Sequence, residues 1–287
     1  MNLNQKIIAW VDQSAFAANI ADYATWAAIR LDAPLEFVHV TGPYSGQEIF
    51  SRRSHVVDIG TTESTANTGS AIQYSVAVES SAQPDESALG FQSSVSFGDR
   101  TAKFYHLAGE LGERVIEYDI VTRLHIFGRQ GQSSGNLGSN VRRCVRMLHK
   151  PVLVVNSAFR PPKRAMIVFD RGTISSRAVQ LIASSPLFKN IAIHLLVCGD
   201  TNQQSLRALN WATNCLENAG HEVSAAFHQG DVRTQLPKMI ELHSIDLLVL
   251  AAYPYSPLRS ILLGHATTDF LRATTIPALL LRQLVDD

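Results

Sequence analysis

The chain repeats itself, and that repeat limits the possible folds more tightly than any composition value. One segment is KIIAWVDQSAFAANIADYATWAAIRLDAPLEFVHV, Lys6 to Val40, and the other is RAMIVFDRGTISSRAVQLIASSPLFKNIAIHLLV, Arg164 to Val197. Each opens with an apolar run that ends in an aspartate, Asp12 or Asp170. Each continues past a small polar residue, Ser14 in one and Ser175 or Ser176 in the other, of the type that starts helices by accepting a backbone N–H. A helix-like stretch and a second apolar run complete a β-α-β unit. Strands that read as continuous apolar runs suit a parallel sheet covered on both faces.

The ends of the two halves match as well. Gly138 stands 13 residues before Pro151 in HKPVLVV, and Gly264 stands 13 before Pro277 in IPALLLR. HLAGEL, His106 to Leu111, corresponds to HQGDV, His228 to Val232. Each half therefore reads β-α-β-(α)-β-α-β-α-β. The fold class expected is α/β, with two tandem doubly wound, mostly parallel five-stranded sheets. The two-proline stretch SAFRPPKR, Ser157 to Arg164, suits a linker and sets the domains at 1–157 and 163–287.

One interval breaks the symmetry. In the C-terminal half, QQSLRALNWATNCLENAG joins the second strand to the third as an amphipathic helix with a glycine stop at Gly220. In the N-terminal half, residues 44–100 fill the same place. From Ser54 to Asp99 there is no lysine or arginine, and no helical period is sustained. This stretch is expected to be a long mobile loop in place of the second helix, with IQYSVAV alternating like an edge strand. A partner-binding arm is the alternative, and no motif supports it.

Composition excludes several classes. The 287 residues are 46% hydrophobic and carry 25 charges of each sign, a balance that favours neither nucleic acid nor an anionic membrane. The start, MNLNQKIIAWVDQS, lacks a secretory signal pattern. No apolar run approaches the roughly 18–20 residues needed to span a bilayer. Cys144, Cys198 and Cys215 stand at no metal spacing, and Cys144 and Cys215 read as core helix residues. A soluble cytoplasmic protein is the simplest expectation. His39, His106, His125 and His194 lie in apolar strand-like runs and read as core or strand-edge histidines, so no metal site is expected. No G-x-S-x-G elbow, Walker lysine or Mg²⁺-binding acidic cluster is present, and no catalytic residue is assigned.

The chemistry-bearing candidate is GRQGQSSGNLGSN, Gly128 to Asn140. Its glycines, Gly128-x2-Gly131-x6-Gly138-Ser139, would let a phosphate approach backbone N–H groups closely. A helix starting at Asn140 or Val141 would add unpaired N–H groups that favour an anion, and the Ser139 hydroxyl a further donor. A structural turn is the plain alternative. In the second half the corresponding residues are Ala251-x2-Pro254-x9-Gly264-His265. There Pro254 has no N–H to offer, and Ala251 adds a methyl where backbone approach is needed.

With WVDQS and VFDRG at the first strands, this loop, and GSNVRRCVRMLHKPVLVV after it, the chain resembles a tandem member of the universal stress protein family. The resemblance covers nearly everything outside Tyr44 to Arg100. The family loop reads G-x2-G-x9-G-[S/T], so the loop here is three residues short in the middle. The second half keeps the spacing and loses the early glycines and the hydroxyl. The resemblance implies an adenine nucleotide alpha hydrolase-like fold with ATP or a related nucleotide in the N-terminal half. Asp12 and the backbone near Val40 would hold the base side, and Gly128, Gly131, Gly138, Ser139 and Asn140 the phosphate side. Asp170, beside a damaged loop, is expected only to turn the chain and cap its helix. Family dimers imply pairing of the two domains within the chain, with a further homodimer and unidentified protein partners in view, but neither nucleic acid nor membrane. The expected function is a non-catalytic stress-response and stress-survival factor, and a weak ATP hydrolase is the alternative.

Overall fold

The computed structural model describes residues 5–12, 17–41, 74–75, 90–97, 100–129, 143–145, 147–198, 201–251 and 275–281. The first repeat begins with β1 (Lys6–Trp10), α1 (Ala17–Leu31) and β2 (Leu35–Thr41). In α1 the small residues Ala17, Ala21, Ala24 and Ala28 are buried beside Ile20 and Leu31. Alanine adds little bulk and has the highest helix propensity, so the helix can lie close to the strands beneath it. It stops where Asp32 turns left-handed at φ 47°. Arg30 in the last turn lies over the Trp26 ring at 5.7 Å, on the helix end that favours a cation.

The chain divides into two units, Met1–Leu148 and His149–Asp287. In the first, β1 lies between β2 and β6 (Thr122–Gly128), and β5 (Arg100–Ala108) pairs on the far side of β2, all in parallel. Helix α2 (Leu111–Asp119) carries the chain from β5 to β6. Strand β4 (Gly90–Phe97) pairs antiparallel with β5, and the two-residue β3 (Tyr74–Ser75) pairs antiparallel with β4. The loop expected over 44–100 is therefore corrected at its end. Gly90–Phe97 is a strand whose FQSSVSF places Phe91, Val95 and Phe97 at alternate positions, the strand period. Tyr74–Ser75 falls within IQYSVAV, where an edge strand was expected. No described residue of 44–100 is helical, and the remainder of that stretch lies outside the described residues.

In the second unit β8 (Arg164–Val168), β9 (Ala192–Cys198) and β10 (Val223–His228) pair in parallel to one side. On the other side of β8, β11 (Leu247–Ala251) and β12 (Ala278–Leu281) continue the parallel sheet. Helices α3 (Thr173–Ser184), α4 (Gln203–Asn218) and α5 (Val232–Leu242) make the crossings. Side chains start two of them: Asn202 accepts from the Ser205 N–H at 2.8 Å, and Asp231 accepts from the Arg233 N–H at 2.9 Å. Strand β7 (Val152–Val155), which ends the first repeat, follows the division at Leu148. It pairs antiparallel with β12, Leu153 opposite Leu279.

Strand register confirms the repeat residue by residue. Val11 donates to the Val38 carbonyl as Phe169 does to Leu196, both at 2.9 Å. Ile7 faces Leu124 as Ala165 faces Leu247, which makes Gly128 and Ala251 equivalent. Gly109 and Gly230 take the same left-handed turn after the third repeat strand, at φ 125° and 101°. Among the described residues no helix is long and apolar enough to cross a membrane.

Candidate functional site

In open parallel α/β sheets ligands sit at the carboxyl ends of the strands, where the strand order reverses. In the first unit that point lies at β1, with β2 and β5 to one side and β6 to the other. Asp12 follows β1 by two residues and is half-buried, and Val40 is the penultimate residue of β2. Gly128 is the buried last residue of β6. Three adjacent strands therefore bring these three expected residues to one end of the sheet. Gly131, Gly138, Ser139 and Asn140 lie outside the described residues, as do Pro254, Gly264 and His265.

Two histidines expected as core or strand-edge residues, His39 and His106, stand at the same end. His39 and His106 are direct neighbours across β2 and β5, with ring centroids 5.7 Å apart and planes at 74°. The Nδ1 of His39 lies 2.9 Å from the Val11 carbonyl, which can only accept, so this nitrogen carries the proton and donates it. His106 packs against Phe104 at 4.7 Å. Burial, with His39 beside it, pushes the His106 pKa down to about 4. Nearby, the Gly109 N–H donates to the Thr41 carbonyl at 3.0 Å, and Arg114 Nε donates to the Ala108 carbonyl at 3.0 Å.

Beneath the site lies a buried polar chain. Trp10 Nε1 donates to His125 Nδ1 at 3.0 Å, and His125 Nε2 lies 3.1 Å from Asp119 Oδ1. An indole only donates, so the His125 proton sits on Nε2 and points at the carboxylate. Burial lowers the His125 pKa, against the opposing pull of Asp119. Trp10 also stacks on Phe127 at 5.8 Å, the residue before Gly128. His125 is thus the satisfied core histidine that its apolar run implies. His194 is buried too, but its Nε2 has no hydrogen-bond partner.

The second unit uses the equivalent positions differently. Asp170 Oδ1 accepts from the Gly172 N–H at 3.0 Å and turns the chain into α3. Arg171 between them is left-handed at φ 66°, and its guanidinium reaches Ser205 at the start of α4. Val197 and Phe227 stand in register where the first unit has His39 and His106. Cys198, opposite Val40 in the repeat, has its thiol pushed up to about 11, chiefly by burial. Burial likewise raises Cys144 to about 11, which suits an inert core thiol.

Comparison with known proteins covers the whole chain. A universal stress protein of Synechocystis sp. strain PCC 6803 is 25% identical, over 97% of this chain and 100% of its own. Over nearly its whole length the chain is similar to universal stress proteins. No protein-family profile matches it. The fold agrees with that of a universal stress protein from Archaeoglobus fulgidus DSM 4304, with a TM-score of 0.62, 11% identity and coverage of 98% and 97% of the two chains. A structure from Pseudomonas aeruginosa UCBPP-PA14, provisionally assigned to the same family, gives a TM-score of 0.63 at 12% identity, covering 98% and 94%. The α/β class and the mostly parallel sheets are those of these solved structures.

No set of three or more His, Cys, Asp and Glu side chains grouped to hold a metal occurs among the described residues. The signal that could have singled out His39 and His106 is the difference between the repeats. Both positions turn apolar in the second half.

Proposed function

We propose that this protein is a universal stress protein acting as a cytoplasmic, non-catalytic stress-response factor whose first unit holds ATP or a related adenine nucleotide. The observation that supports this is the convergence of Asp12, Val40 and Gly128 at the carboxyl ends of β1, β2 and β6, at the reversal of strand order. Asp12 and the Val40 backbone would face the base side. The glycines through Gly138 would admit the phosphates, and Ser139 would add a donor. The second unit is a poor host by comparison, because Asp170 accepts from its own turn and Ala251 replaces Gly128. The two domains would pair as family dimers do, and protein partners would read out the nucleotide state.

The test is nucleotide extraction from freshly purified protein followed by calorimetry on three variants. Gly138→Val puts a branched side chain where a phosphate must approach, and it should weaken binding most. Ser139→Ala removes one hydrogen bond, worth roughly 0.5–1.5 kcal/mol, or more if it is charge-assisted. Gly264→Val should leave affinity unchanged. Equal loss from Gly264→Val would put the site in the other half, and no binding by the wild type at millimolar nucleotide would show that the shortened loop closes the cradle. Steady turnover of bound ATP would replace this reading with that of a weak hydrolase.

A further inference from the structure

We propose that His39 and His106 form a two-histidine binding site for a divalent transition ion such as copper(II), nickel(II) or zinc, its remaining coordination positions filled by water. The geometry carries the argument. The two residues are paired directly across parallel strands β2 and β5, so the sheet itself fixes the distance between their backbones. Two imidazoles ligating one ion at about 2.0–2.1 Å hold their centroids roughly 5–6 Å apart. The observed separation is 5.7 Å, with the planes crossed at 74°.

The hydrogen bonding fits the same role. Ligating histidines usually donate their second ring N–H to a carbonyl or carboxylate, which fixes the tautomer and aims the free nitrogen. His39 does this through Nδ1 to Val11, leaving Nε2 as its lone-pair donor. Both side chains are half-buried and so are not sealed from solvent.

A second histidine pair in the molecule lacks this arrangement. His194 and His243 stack at 4.0 Å with planes only 29° apart, which sets their in-plane lone pairs side by side instead of on one point. The second repeat, with Val197 and Phe227 in register, has no equivalent of the proposed site. The site is independent of the nucleotide reading, since it needs neither the glycine loop nor Asp12.

The experiment titrates tag-free, full-length protein with copper(II) and nickel(II) by calorimetry, and records the electron paramagnetic resonance of the copper complex. Wild type should bind one ion with two nitrogen donors. His106→Phe installs the residue type that the second repeat carries, and it should weaken binding by about tenfold or more. His39→Asn should do the same, while His243→Asn should change nothing. Circular dichroism of each variant confirms the fold. No binding by wild type would overturn the proposal, as would His106→Phe binding like wild type or loss of binding in His243→Asn. Nucleotide affinity measured on the same His106→Phe protein separates failure of this site from failure of the nucleotide reading.

Discussion

Between β2 and β5 the first unit inserts β3 and β4, which extend the sheet antiparallel, whereas between β9 and β10 the second unit inserts the sixteen-residue helix α4. Both intervals answer one demand: parallel neighbours need a long crossing connection, and nothing requires that connection to be helical. What differs is the surface each protects. Helix α4 buries Leu209, Ala212 and Leu216 along one stripe. Strand β4 instead occupies the outer edge of β5, whereas β10 in the same place leaves Ser224 and Ala225 exposed. An unpaired edge is a template for unwanted pairing, and in the first unit that edge is taken. The shared core beneath therefore tolerates two different solutions at one position.

Equivalent substitutions in the two units would break or sharpen this comparison. The largest effect is expected in the shared core. Phe37 and Leu195 occupy the same repeat position and are both 0% exposed. Phe37→Ala should cost about 3–5 kcal/mol and Leu195→Ala about 2–5 kcal/mol in urea unfolding. A cost below about 1 kcal/mol at either site would mean that the two cores are not packed alike. A smaller loss is expected at His125, whose counterpart by register is Leu248. His125→Leu leaves the Trp10 N–H and the Asp119 carboxylate without their partner, and should cost about 1–3 kcal/mol. If unfolding measurements found this variant neutral, the Trp10–His125–Asp119 chain would be dispensable and the units more alike than they look. The smallest effect is expected at the first-strand aspartates. Asp170→Ala removes one acceptor for the Gly172 N–H and should cost about 0.5–1.5 kcal/mol of stability. Asp12→Ala should act chiefly on nucleotide affinity. Calorimetry and urea unfolding on both variants would expose a reversed pattern.

The doubled β-α-β pattern was legible because apolar strands, helix starters and strand-tip aspartates recur in the same order, and register later aligned Gly128 with Ala251 as the glycine spacing implied. The role of Asp170 as a turn-former was legible for the same local reason. Two features were not. The serine-rich composition around FQSSVSF masks its two-residue alternation, which is why the sequence alone points to a loop where β4 forms. His39 and His106 each sit in an apolar run, 67 positions apart, and only the register of β2 against β5 sets them face to face.

The pairing of β7 with β12 also has a consequence in time. During synthesis at about 5–20 residues per second, β12 emerges roughly 125 residues after β7, a delay on the order of 6–25 s. Throughout that interval the β7 edge that β12 will occupy, lined by Val152, Leu153 and Val154, stays open to any strand that passes. The nascent chain is thus most exposed to mispairing, and most in need of a chaperone, after its first repeat is complete and before its last strand leaves the ribosome.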